Sequence, residues 1–422
     1  MHSVTNAIPT GTIASIPAKA HAHRALICAA LATSPSTILL SRTSKDIDAT
    51  MDSLRGLGAH IVYKNKIVTV TPGPAPAKGN VVPHESGTTL RLLLPVAASI
   101  CNDVDVDAKG RLPDRPLEPM LGEMKAHGVT FSQDKPPFTM MGRLQGGNFS
   151  MVGDVSSQFF SGLLLAAPQI GLSTITSTTP LQSSDYVTLT TETMRDFGVE
   201  VEHTLPDTNI NEAFTVPFGA SFIGRDNYQI EGDWSNAAIW MVAAGMTGKP
   251  ITITGMNKNS VQADRRIMQV MIDAGCDVVW DGMNITVTGR ASKPIHADLE
   301  QMPDMLPVMA ALACSISGES SFIKGARLRL KESDRLIAVA NLVRDLGGTV
   351  REEGDDLYII GSGILKGGHG DCVNDHRLVM AGTLMALISE NPITLKDSEA
   401  ITKSYPHFFE DWNLLGGNAQ PV

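Results

Sequence analysis

The residues Gln262–Gly289, QADRRIMQVMIDAGCDVVWDGMNITVTG, contain the pattern from which the fold of the chain can be predicted. An aspartate precedes a segment whose apolar residues recur at helical spacing, for example Met268, Met271 and Ile272. Gly275 then stands where a helix needs a left-handed residue at its end, and two runs rich in β-branched residues follow. The stretch therefore predicts an amphipathic helix followed by a pair of strands.

The order of aspartate, helix, glycine and strand recurs along the chain, which indicates an internal repeat. Small apolar segments between the copies, such as residues 235–248 and 303–318, are typical of buried helices that pack closely. This alternation predicts an α/β fold, and the Pro- and Gly-containing stretch 215–234 marks a crossover between two domains of three units each. The other copies lie at residues 44–73, 112–133, 183–203 and 332–361, with a truncated sixth at 374–388, and the helix-ending glycines are Gly58, Gly128, Gly198, Gly275 and Gly347.

Length, charge, cysteine content and apolar runs exclude several classes of protein. At 422 residues the chain exceeds one ordinary core, which agrees with two domains. A net charge of −10 argues against a general nucleic-acid or membrane-surface binder, although a cationic pocket is compatible with it. The five scattered cysteines without a C-x-x-C motif indicate reduced thiols, and the longest apolar runs fall short of the roughly 20 residues of a membrane span. We therefore expect a cytoplasmic protein with neither a nucleic-acid nor a membrane partner.

Cations cluster at the starts of the repeat units, where they oppose the helix dipole unless an anion accompanies them. Each one alone is more typical of a solvated surface, but their shared placement predicts an anion-binding site. In RLKESDR, Lys331 and Arg335 are expected on one face of a helix because they are four residues apart. The cations of this set are Lys19, Arg24, Arg91, Arg115, Lys331, Arg335, Arg377 and Lys403.

Polar residues at helix starts have two interpretations each. Ser156, Ser157 and Gln158 can cap an apolar helix or bind phosphate, and Asp304 can cap a helix or act in chemistry. His21 and His23 are expected on a loop, without an acid–base role. Because the chain contains no zinc, calcium or serine-hydrolase motif, we predict neither a metal nor a cofactor.

Ten motifs together resemble the 5-enolpyruvylshikimate-3-phosphate synthase family over essentially the whole chain. The resemblance implies two inverse α/β barrel domains, each of three βαβαββ repeats, with the active site in the cleft between them. It divides the chain into a discontinuous domain of residues 1–14 and 229–422 and an inserted domain of residues 15–228, and a monomer is expected. The motifs are PAKAHAHRAL, ESGTTLRL, GRLPDRP, DVSSQF, LQSSDY, EGDWSNAA, PDMLPV, LKESDR, NDHRLVMA and ITKSYPHFFE.

The reaction implied by the resemblance moves the enolpyruvyl group of phosphoenolpyruvate to the 5-hydroxyl of shikimate 3-phosphate and releases phosphate. Asp304 would take the proton of the hydroxyl, and Glu332 with Lys19 or Lys403 would transfer the proton at the methylene carbon. The implied phosphoenolpyruvate contacts are Lys19, Gly87, Arg115, Arg335, Arg377 and Lys403. The implied shikimate-phosphate contacts are Arg24, Ser156, Ser157, Gln158, Ser183, Arg327, Lys331 and the position of Ala20.

The chain departs from the family pattern at four positions. Ala18 and Ala20 stand where the family usually has serines, Glu85 stands where asparagine is common, and Arg327 replaces another common asparagine. A lost hydrogen bond to a charged group weakens binding by roughly 1.5–3 kcal/mol, unless a histidine of the same motif donates instead. Two alternatives therefore stay open: an enolpyruvyl transferase with a different hydroxyl acceptor, and a catalytically silent anion-binding homologue.

Overall fold

A computed structural model describes residues 1–207 and 211–422 of the chain. The described residues form two compact units, one of Met1–Ile16 with Glu231–Val422 and one of Pro17–Ile230. We call them the discontinuous unit and the inserted unit. Each boundary lies two residues further along the chain than the expected one.

Helices of seven residues or more occur in both units. The described helices are α1 (Lys19–Ala30), α2 (Lys45–Gly56), α3 (Gly87–Ile100), α4 (Met120–Ala126), α5 (Ser157–Ile170), α6 (Asp185–Asp196), α7 (Trp234–Thr247), α8 (Ile267–Asp273), α9 (Leu306–Ser315), α10 (Arg335–Asp345), α11 (His376–Met385) and α12 (Phe408–Leu414).

Short strands alternate with these helices. The described strands are β1 (His2–Thr5), β2 (Gly11–Ala14), β3 (Ser36–Leu39), β4 (His60–Lys64), β5 (Ile67–Thr71), β6 (Gly79–Val81), β7 (Asp103–Val106), β8 (Thr130–Phe131), β9 (Phe138–Met141), β10 (Gly147–Met151), β11 (Ser173–Ser177), β12 (Glu202–Thr204), β13 (Ala213–Val216), β14 (Tyr228–Gln229), β15 (Ile251–Thr254), β16 (Asp277–Asp281), β17 (Asn284–Thr288), β18 (His296–Asp298), β19 (Gly318–Ile323), β20 (Thr349–Glu353), β21 (Asp356–Gly361), β22 (Gly368–Asp371), β23 (Ile393–Lys396) and β24 (Asn418–Pro421).

In the described part of the chain the strands form six four-stranded sheets, three in each unit. Every sheet combines one parallel pair with two antiparallel pairs, so one plan is repeated six times. Ile253 of β15, for example, pairs with Ile13 of parallel β2 and with Ile285 of antiparallel β17. The strand orders are β14-β3-β5-β4, β6-β7-β9-β8 and β10-β11-β13-β12 in the inserted unit, and β16-β17-β15-β2, β18-β19-β21-β20 and β22-β23-β1-β24 in the discontinuous unit.

The predicted repeat is found in five of its six copies. Helices α2, α4, α6, α8 and α10 lie in the expected segments, and each is followed by a glycine with positive φ. Glycine is favoured there because it lacks the Cβ that clashes in the left-handed region. The φ angles are 106° at Gly58, 97° at Gly128, 89° at Gly198, 99° at Gly275 and 87° at Gly347.

The sixth copy was placed wrongly. Residues 374–388 contain α11, whose ten residues are all buried, like those of α9. The amphipathic helix of this copy is α12, which Gly416 (φ 99°) and strand β24 follow. The polar start Asn-Asp-His-Arg resembles the beginning of an amphipathic copy, whereas the helix itself belongs to the small-residue, buried class.

Each unit has its own hydrophobic core. In the inserted unit α3 and α5 approach closely at Gly162, where a Cβ would lie 2.5 Å from the carbonyl oxygen of Arg91. This approach brings the first turns of the two helices together. Among the described residues no helix is both long and apolar enough to cross a bilayer, and all five cysteines are buried and free.

His21 and His23 lie in α1 and not on a loop, so that expectation was wrong. The helix starts after Ala18, which offers no capping side chain, and therefore the usual start signal is missing from the sequence. Both imidazoles are buried.

Candidate active site

Asp304 is the centre of a cationic group in the discontinuous unit. It lies in a 3₁₀ turn, Pro303–Met305, that leads into α9, and its side chain does not cap that helix. Its Oδ1 is 2.7 Å from Nη1 of Arg335 and 3.2 Å from Nζ of Lys331. Its Oδ2 is 3.5 Å from Nη2 of Arg377. One carboxylate is therefore held by three cations, and we call these four residues the Asp304 cluster.

The charge of Asp304 follows from this arrangement. Burial favours the neutral acid, but Lys331, Arg377 and Arg335 together lower the pKa of Asp304 well below its usual value. A carboxylate with such a low pKa is a weak base. Its basicity rises only when another anion takes over part of the interaction with these cations.

Arg335 is fixed in place by Asp375. Its Nε donates to Oδ2 of Asp375 at 2.9 Å and its Nη2 donates to Oδ1 at 3.1 Å, a bidentate pair inside the protein. The hydroxyl of Ser333 donates to the same carboxylate, and Asp375 also caps α11 by accepting from the backbone N–H of Arg377 at 3.0 Å. Although burial alone would lower the pKa of Arg335, the carboxylates of Asp375, Asp304 and Glu332 raise it above the ordinary value.

Lys331 and Arg335 do not share a helical face, so this expectation was wrong. Helix α10 begins only at Arg335, after the N-cap Asp334, whose side chain accepts from the backbone N–H of Ile337. Lys331 precedes the helix and meets Arg335 through Asp304 instead.

Glu332 lies at the edge of the cluster, with Oε2 2.9 Å from Nδ1 of His376 and 3.8 Å from Nη2 of Arg335. Glu332, Asp375 and His376 have ligand-type atoms within 4.8 Å of one another, a spacing that a metal ion could span. Arg335 already pairs with Asp375 and adjoins Glu332, so a metal ion there would have to compete with this guanidinium.

Lys403 is buried at the end of the 3₁₀ segment Ser398–Lys403, and its Nζ donates to the carbonyl oxygen of Asn374 at 2.7 Å. That carbonyl belongs to a strained turn, in which Val373 has φ 43° and Asn374 has φ 55°. A β-branched residue rarely adopts this conformation, so the surrounding structure must enforce it. Arg327 lies partly buried in another 3₁₀ segment, Ala326–Leu330.

Asp264 is a further buried carboxyl of this unit that sequence reasoning treated only as the start of a repeat copy. The hydroxyl of Ser235 donates to its Oδ2 through a short hydrogen bond, and its Oδ1 has no partner among the described residues. Burial raises the pKa of Asp264 to about 6, with Arg377 lowering it and Asp304 raising it.

In the inserted unit Lys19 is the first residue of α1 and donates from Nζ to Oδ2 of Asp46 at 2.7 Å. Both side chains are mostly buried, and Asp46 lies in the first turn of α2. The ion pair therefore joins the starts of two helices, and Asp46 is a partner of the predicted site residue Lys19 that sequence reasoning missed. Its place in the SKD turn of a repeat copy was the available signal.

Arg24 is fully buried one turn further along α1. Its Nε donates to the hydroxyl of Thr190 at 2.7 Å, and its two terminal nitrogens donate to the carbonyl oxygens of Ala20 at 2.7 Å and Tyr186 at 2.9 Å. Burial lowers the pKa of Arg24 to about 10. The guanidinium thus anchors α1 to α6 through neutral partners and supplies a positive charge beneath Ala20.

Gly87 and Arg115 are in close contact. Gly87 begins α3, and a Cβ at that position would lie 2.8 Å from Cζ of Arg115. A glycine at this position leaves room for the guanidinium of Arg115 beside the first turn of α3. We call Gly87 and the Arg115 side chain beside it the cationic turn. The N-cap Ser86 accepts from the backbone N–H of Thr89 at 3.2 Å.

The start of α5 carries the predicted serine pair. Ser156 is the N-cap and accepts from the backbone N–H of Gln158 at 3.3 Å, so its capping interpretation is confirmed; Ser157 is the first helical residue. Arg91 donates from Nη1 to Oε1 of Gln158 at 3.2 Å and from Nη2 to the carbonyl oxygen of Pro116 at 3.0 Å. Gln158 in turn donates to the hydroxyl of Thr88 at 2.9 Å. This network joins α5 to the turn that carries Arg115.

Ser183 is buried just before α6 and adopts a left-handed conformation, with φ 53°. His21 also has a partner within this unit. Its Nε2 is 2.8 Å from the hydroxyl of Tyr228, and that hydroxyl donates to Asp196. Burial lowers the pKa of His21 to about 4, so a neutral imidazole is expected. Nothing in these contacts supports His21 as a phosphate donor.

The predicted site residues thus fall into two sets. Within the discontinuous unit the contacts bring Asp304, Lys331, Glu332, Arg335 and Arg377 together, while Lys403 and Arg327 are placed by neighbouring segments. Within the inserted unit, Arg24 lies in the middle of α1, and Arg115 follows the 3₁₀ turn Leu112–Asp114 and contacts Gly87. The other predicted residues lie at or beside the starts of α1, α3, α5 and α6: Lys19, Ala20, Gly87, Ser156, Ser157, Gln158 and Ser183.

Comparisons with known proteins show related sequences and a related structure. Residues 7–412 match the family model of EPSP synthase (3-phosphoshikimate 1-carboxyvinyltransferase). The chain is 36% identical over 412 residues to the 3-phosphoshikimate 1-carboxyvinyltransferase of Clostridium kluyveri, covering 96% of this chain and 95% of that relative. It is 34% identical over 417 residues to the enzyme of that name from Methanocorpusculum labreanum, covering 97% of each.

A solved structure of EPSP synthase from Acinetobacter baumannii is similar with a TM-score of 0.80 and 24% sequence identity, and the match covers 100% of this chain and 99% of that one. This likeness shows that the fold is shared. Together with the sequence matches over nearly the full length, it establishes that the chain belongs to the EPSP synthase (3-phosphoshikimate 1-carboxyvinyltransferase) family.

Proposed function

We propose that the chain transfers the enolpyruvyl group of phosphoenolpyruvate to the 5-hydroxyl of shikimate 3-phosphate. The observation that carries this proposal is the Asp304 cluster, in which one carboxylate is held by Lys331, Arg335 and Arg377. A binding protein for anions needs the cations but has no use for a buried carboxylate among them. An enzyme that must deprotonate a hydroxyl beside two anionic substrates needs both.

The first half of the reaction is an addition. The 5-hydroxyl oxygen bonds to C2 of phosphoenolpyruvate, its proton passes to Asp304, and a proton is added at C3. Glu332, assisted by Lys19 or Lys403, supplies the proton to C3. The resulting tetrahedral intermediate keeps the phosphate, and the neighbouring cations stabilise its negative charge.

The second half is an elimination. The bond between C2 and the phosphate oxygen breaks, phosphate leaves with the electron pair and takes up the proton held by Asp304, and Glu332 takes a proton from C3 to restore the enol double bond. Proton transfer in both directions at C3 suits Glu332, which lies 2.9 Å from the imidazole of His376 and within 3.8 Å of Arg335.

Binding of phosphoenolpyruvate changes the basicity of Asp304 in this proposal. In the free protein Asp304 is a weak base because its three cations lower its pKa. The carboxylate and phosphate of phosphoenolpyruvate compete with Asp304 for Arg335 and Arg377, which raises the basicity of Asp304. Deprotonation of the acceptor is therefore favoured only when the donor substrate is present.

The remaining contacts follow the same proposal. Lys19, Gly87, Arg115, Arg335, Arg377 and Lys403 bind phosphoenolpyruvate, while Arg24, Ser156, Ser157, Gln158, Ser183, Arg327 and Lys331 bind the shikimate phosphate. Each unit is proposed to be an inverse α/β barrel of three βαβαββ repeats and an enolpyruvyl transferase domain. A monomeric, cytoplasmic protein is part of the proposal, supported by five free thiols of the kind that reducing compartments preserve.

The experiment follows both substrates and products by ³¹P NMR after mixing the protein with phosphoenolpyruvate and shikimate 3-phosphate. We expect inorganic phosphate and a new phosphorylated enol ether in equal amounts, and both to form far more slowly with Asp304→Ala. Unchanged turnover in Asp304→Ala would show that the base is a different group. Absence of product with the unaltered protein would reject the reaction.

One observation favours a second acceptor. Ala20 lacks the hydroxyl expected at the acceptor's phosphate, and its carbonyl oxygen accepts from Arg24. An unphosphorylated cyclic acid would not need that hydroxyl. The serine pair at the start of α5, in which Ser156 is the N-cap, and the buried charge of Arg24 favour the phosphorylated acceptor.

A further inference from the structure

Helices α1 and α2 are joined by two polar contacts, one helical turn apart. Lys19 on α1 pairs with Asp46 on α2 at 2.7 Å, and His23 on α1 lies with Nδ1 2.7 Å from the hydroxyl of Thr50 on α2. In both helices the second residue follows the first by four positions, so the two contacts are stacked like rungs. The Lys19 rung belongs to the proposed site, and the mechanism gives the His23 rung no role.

The His23 rung continues into α3. The hydroxyl of Thr50 is 2.7 Å from the hydroxyl of Thr89, which lies 2.8 Å from the hydroxyl of the N-cap Ser86 and 3.3 Å from the carbonyl oxygen of Asp46. His23, Thr50 and Thr89 are fully buried. The rung therefore connects the residue that holds Lys19 with the residue that precedes Gly87.

Hydrogen counting favours one tautomer of His23. The carbonyl oxygen of Asp46 can only accept, so the hydroxyl of Thr89 is the donor in that contact. Thr89 then accepts from the hydroxyl of Thr50, and Thr50 accepts from the imidazole of His23. The proton of His23 is then on Nδ1. Its Nε2, which is buried without a hydrogen-bond partner among the described residues, keeps a bare lone pair.

The surrounding charges favour the same state. Lys19 precedes His23 by one turn and Arg24 is its neighbour, and both carry positive charge. These charges disfavour a second proton on the ring. Burial, followed by the charges of Lys19 and Arg24, also lowers the pKa of His23 well below its usual value, so the imidazole stays neutral.

We propose that His23 is a positioning residue, which as a neutral Nδ1–H imidazole holds Thr50 and Thr89 so that the Lys19–Asp46 pair and the Ser86–Gly87 turn keep their register. This positioning role rests on the proposed function, in which Lys19 and Gly87 contact phosphoenolpyruvate. His23 touches no substrate in this account. Because its single N–H is donated to Thr50 and the ring is buried, it cannot replace the missing serine hydroxyl at Ala20 as a phosphate donor.

The kinetic test uses Thr50→Val, which removes the hydroxyl at the centre of the rung and keeps the volume. We expect the KM for phosphoenolpyruvate to rise about tenfold, the effect of one lost buried hydrogen bond, with an unchanged KM for the acceptor. Thr50→Ser restores the hydroxyl and is expected to restore the KM. Thr193→Val is the matched control, since Thr193 is equally buried but its hydroxyl donates only to Leu189 of its own helix at 2.7 Å.

An unchanged KM for phosphoenolpyruvate in Thr50→Val would overturn the positioning role. An equal rise in Thr193→Val would do the same, because the effect would then come from general destabilisation. Calorimetric binding of phosphoenolpyruvate to the same variants gives a readout without turnover, so failure of the whole reaction is distinguishable from failure of the rung.

The state of His23 is tested by ¹⁵N NMR of histidine-labelled protein, with His23→Asn used for assignment. We expect a proton on Nδ1, none on Nε2, and no titration between about pH 5 and pH 8, the range in which an ordinary histidine changes charge. A proton on Nε2, or a titration inside that range, would contradict the tautomer. This measurement needs no substrate.

Discussion

Replacing Gly87 with alanine tests the cationic turn of the inserted unit most directly. The new Cβ would lie 2.8 Å from Cζ and 3.2 Å from Nη2 of Arg115, and closer still to Nη1. Ordinary contacts begin at 3.4 Å, so Cζ must move by at least 0.6 Å and Nη1 by more. The neighbour is the end of a flexible side chain, and therefore the protein can fold with the guanidinium displaced.

A displacement of about 1 Å at a group that orients a substrate costs on the order of tenfold to a hundredfold in kcat/KM. We expect this loss in Gly87→Ala as a higher KM for phosphoenolpyruvate, with little change in the melting temperature. The assay is steady-state phosphate release at varied phosphoenolpyruvate and saturating acceptor. Gly122→Ala is the control, because Gly122 is exposed in α4 and a Cβ there meets only the carboxylate of Glu118 at 3.1 Å. An unchanged KM in Gly87→Ala would refute the assignment of this turn to the donor substrate.

Three further predictions concern the discontinuous unit. Asp304→Ala is expected to lower kcat by about 10²–10⁴, the usual contribution of a general base, while calorimetry finds phosphoenolpyruvate binding retained, since the cations lose a competitor; weaker binding would contradict this. Arg335→Ala leaves the fully buried Asp375 without its bidentate partner, so urea unfolding is expected to show a loss of about 3–5 kcal/mol, and a loss below about 1 kcal/mol would contradict it. The pKa of Asp264 is raised from 3.8 to about 6, so its stabilising contribution is complete below the lower value and is lost as the pH rises through about 6. Relative to Asp264→Asn, the unaltered protein should therefore lose about 3 kcal/mol of unfolding free energy between about pH 4 and pH 7, and a constant difference between the two proteins would contradict the shift.

Periodicity allowed most of the fold to be predicted. The amphipathic helices α2, α4, α6, α8 and α10 are each followed, two residues after the last helical residue, by a glycine whose φ is positive, and such local signals are visible in the sequence. The sixth copy was missed because α11 begins with polar residues but is buried throughout, a property decided by tertiary packing. The start of α1 was missed because Ala18 provides no cap.

The residues of the candidate site were identified from motifs, but their partners were not. Arg335 meets Asp304 and Asp375, which are 31 and 40 residues away, and the sequence contains no sign of such remote pairs. Asp264 and Thr50 look like ordinary members of repeat copies, and only the folded chain reveals that one is a buried acid and the other the centre of a rung. Contacts between distant segments thus had to come from the structure.

Phosphate release from phosphoenolpyruvate, measured with shikimate 3-phosphate and in parallel with plain shikimate, distinguishes the two possible acceptors. We predict release with the phosphorylated acceptor only, which would show that the alanine at position 20 is tolerated. Release with shikimate alone, or with neither acceptor, would contradict the proposed acceptor or the activity itself.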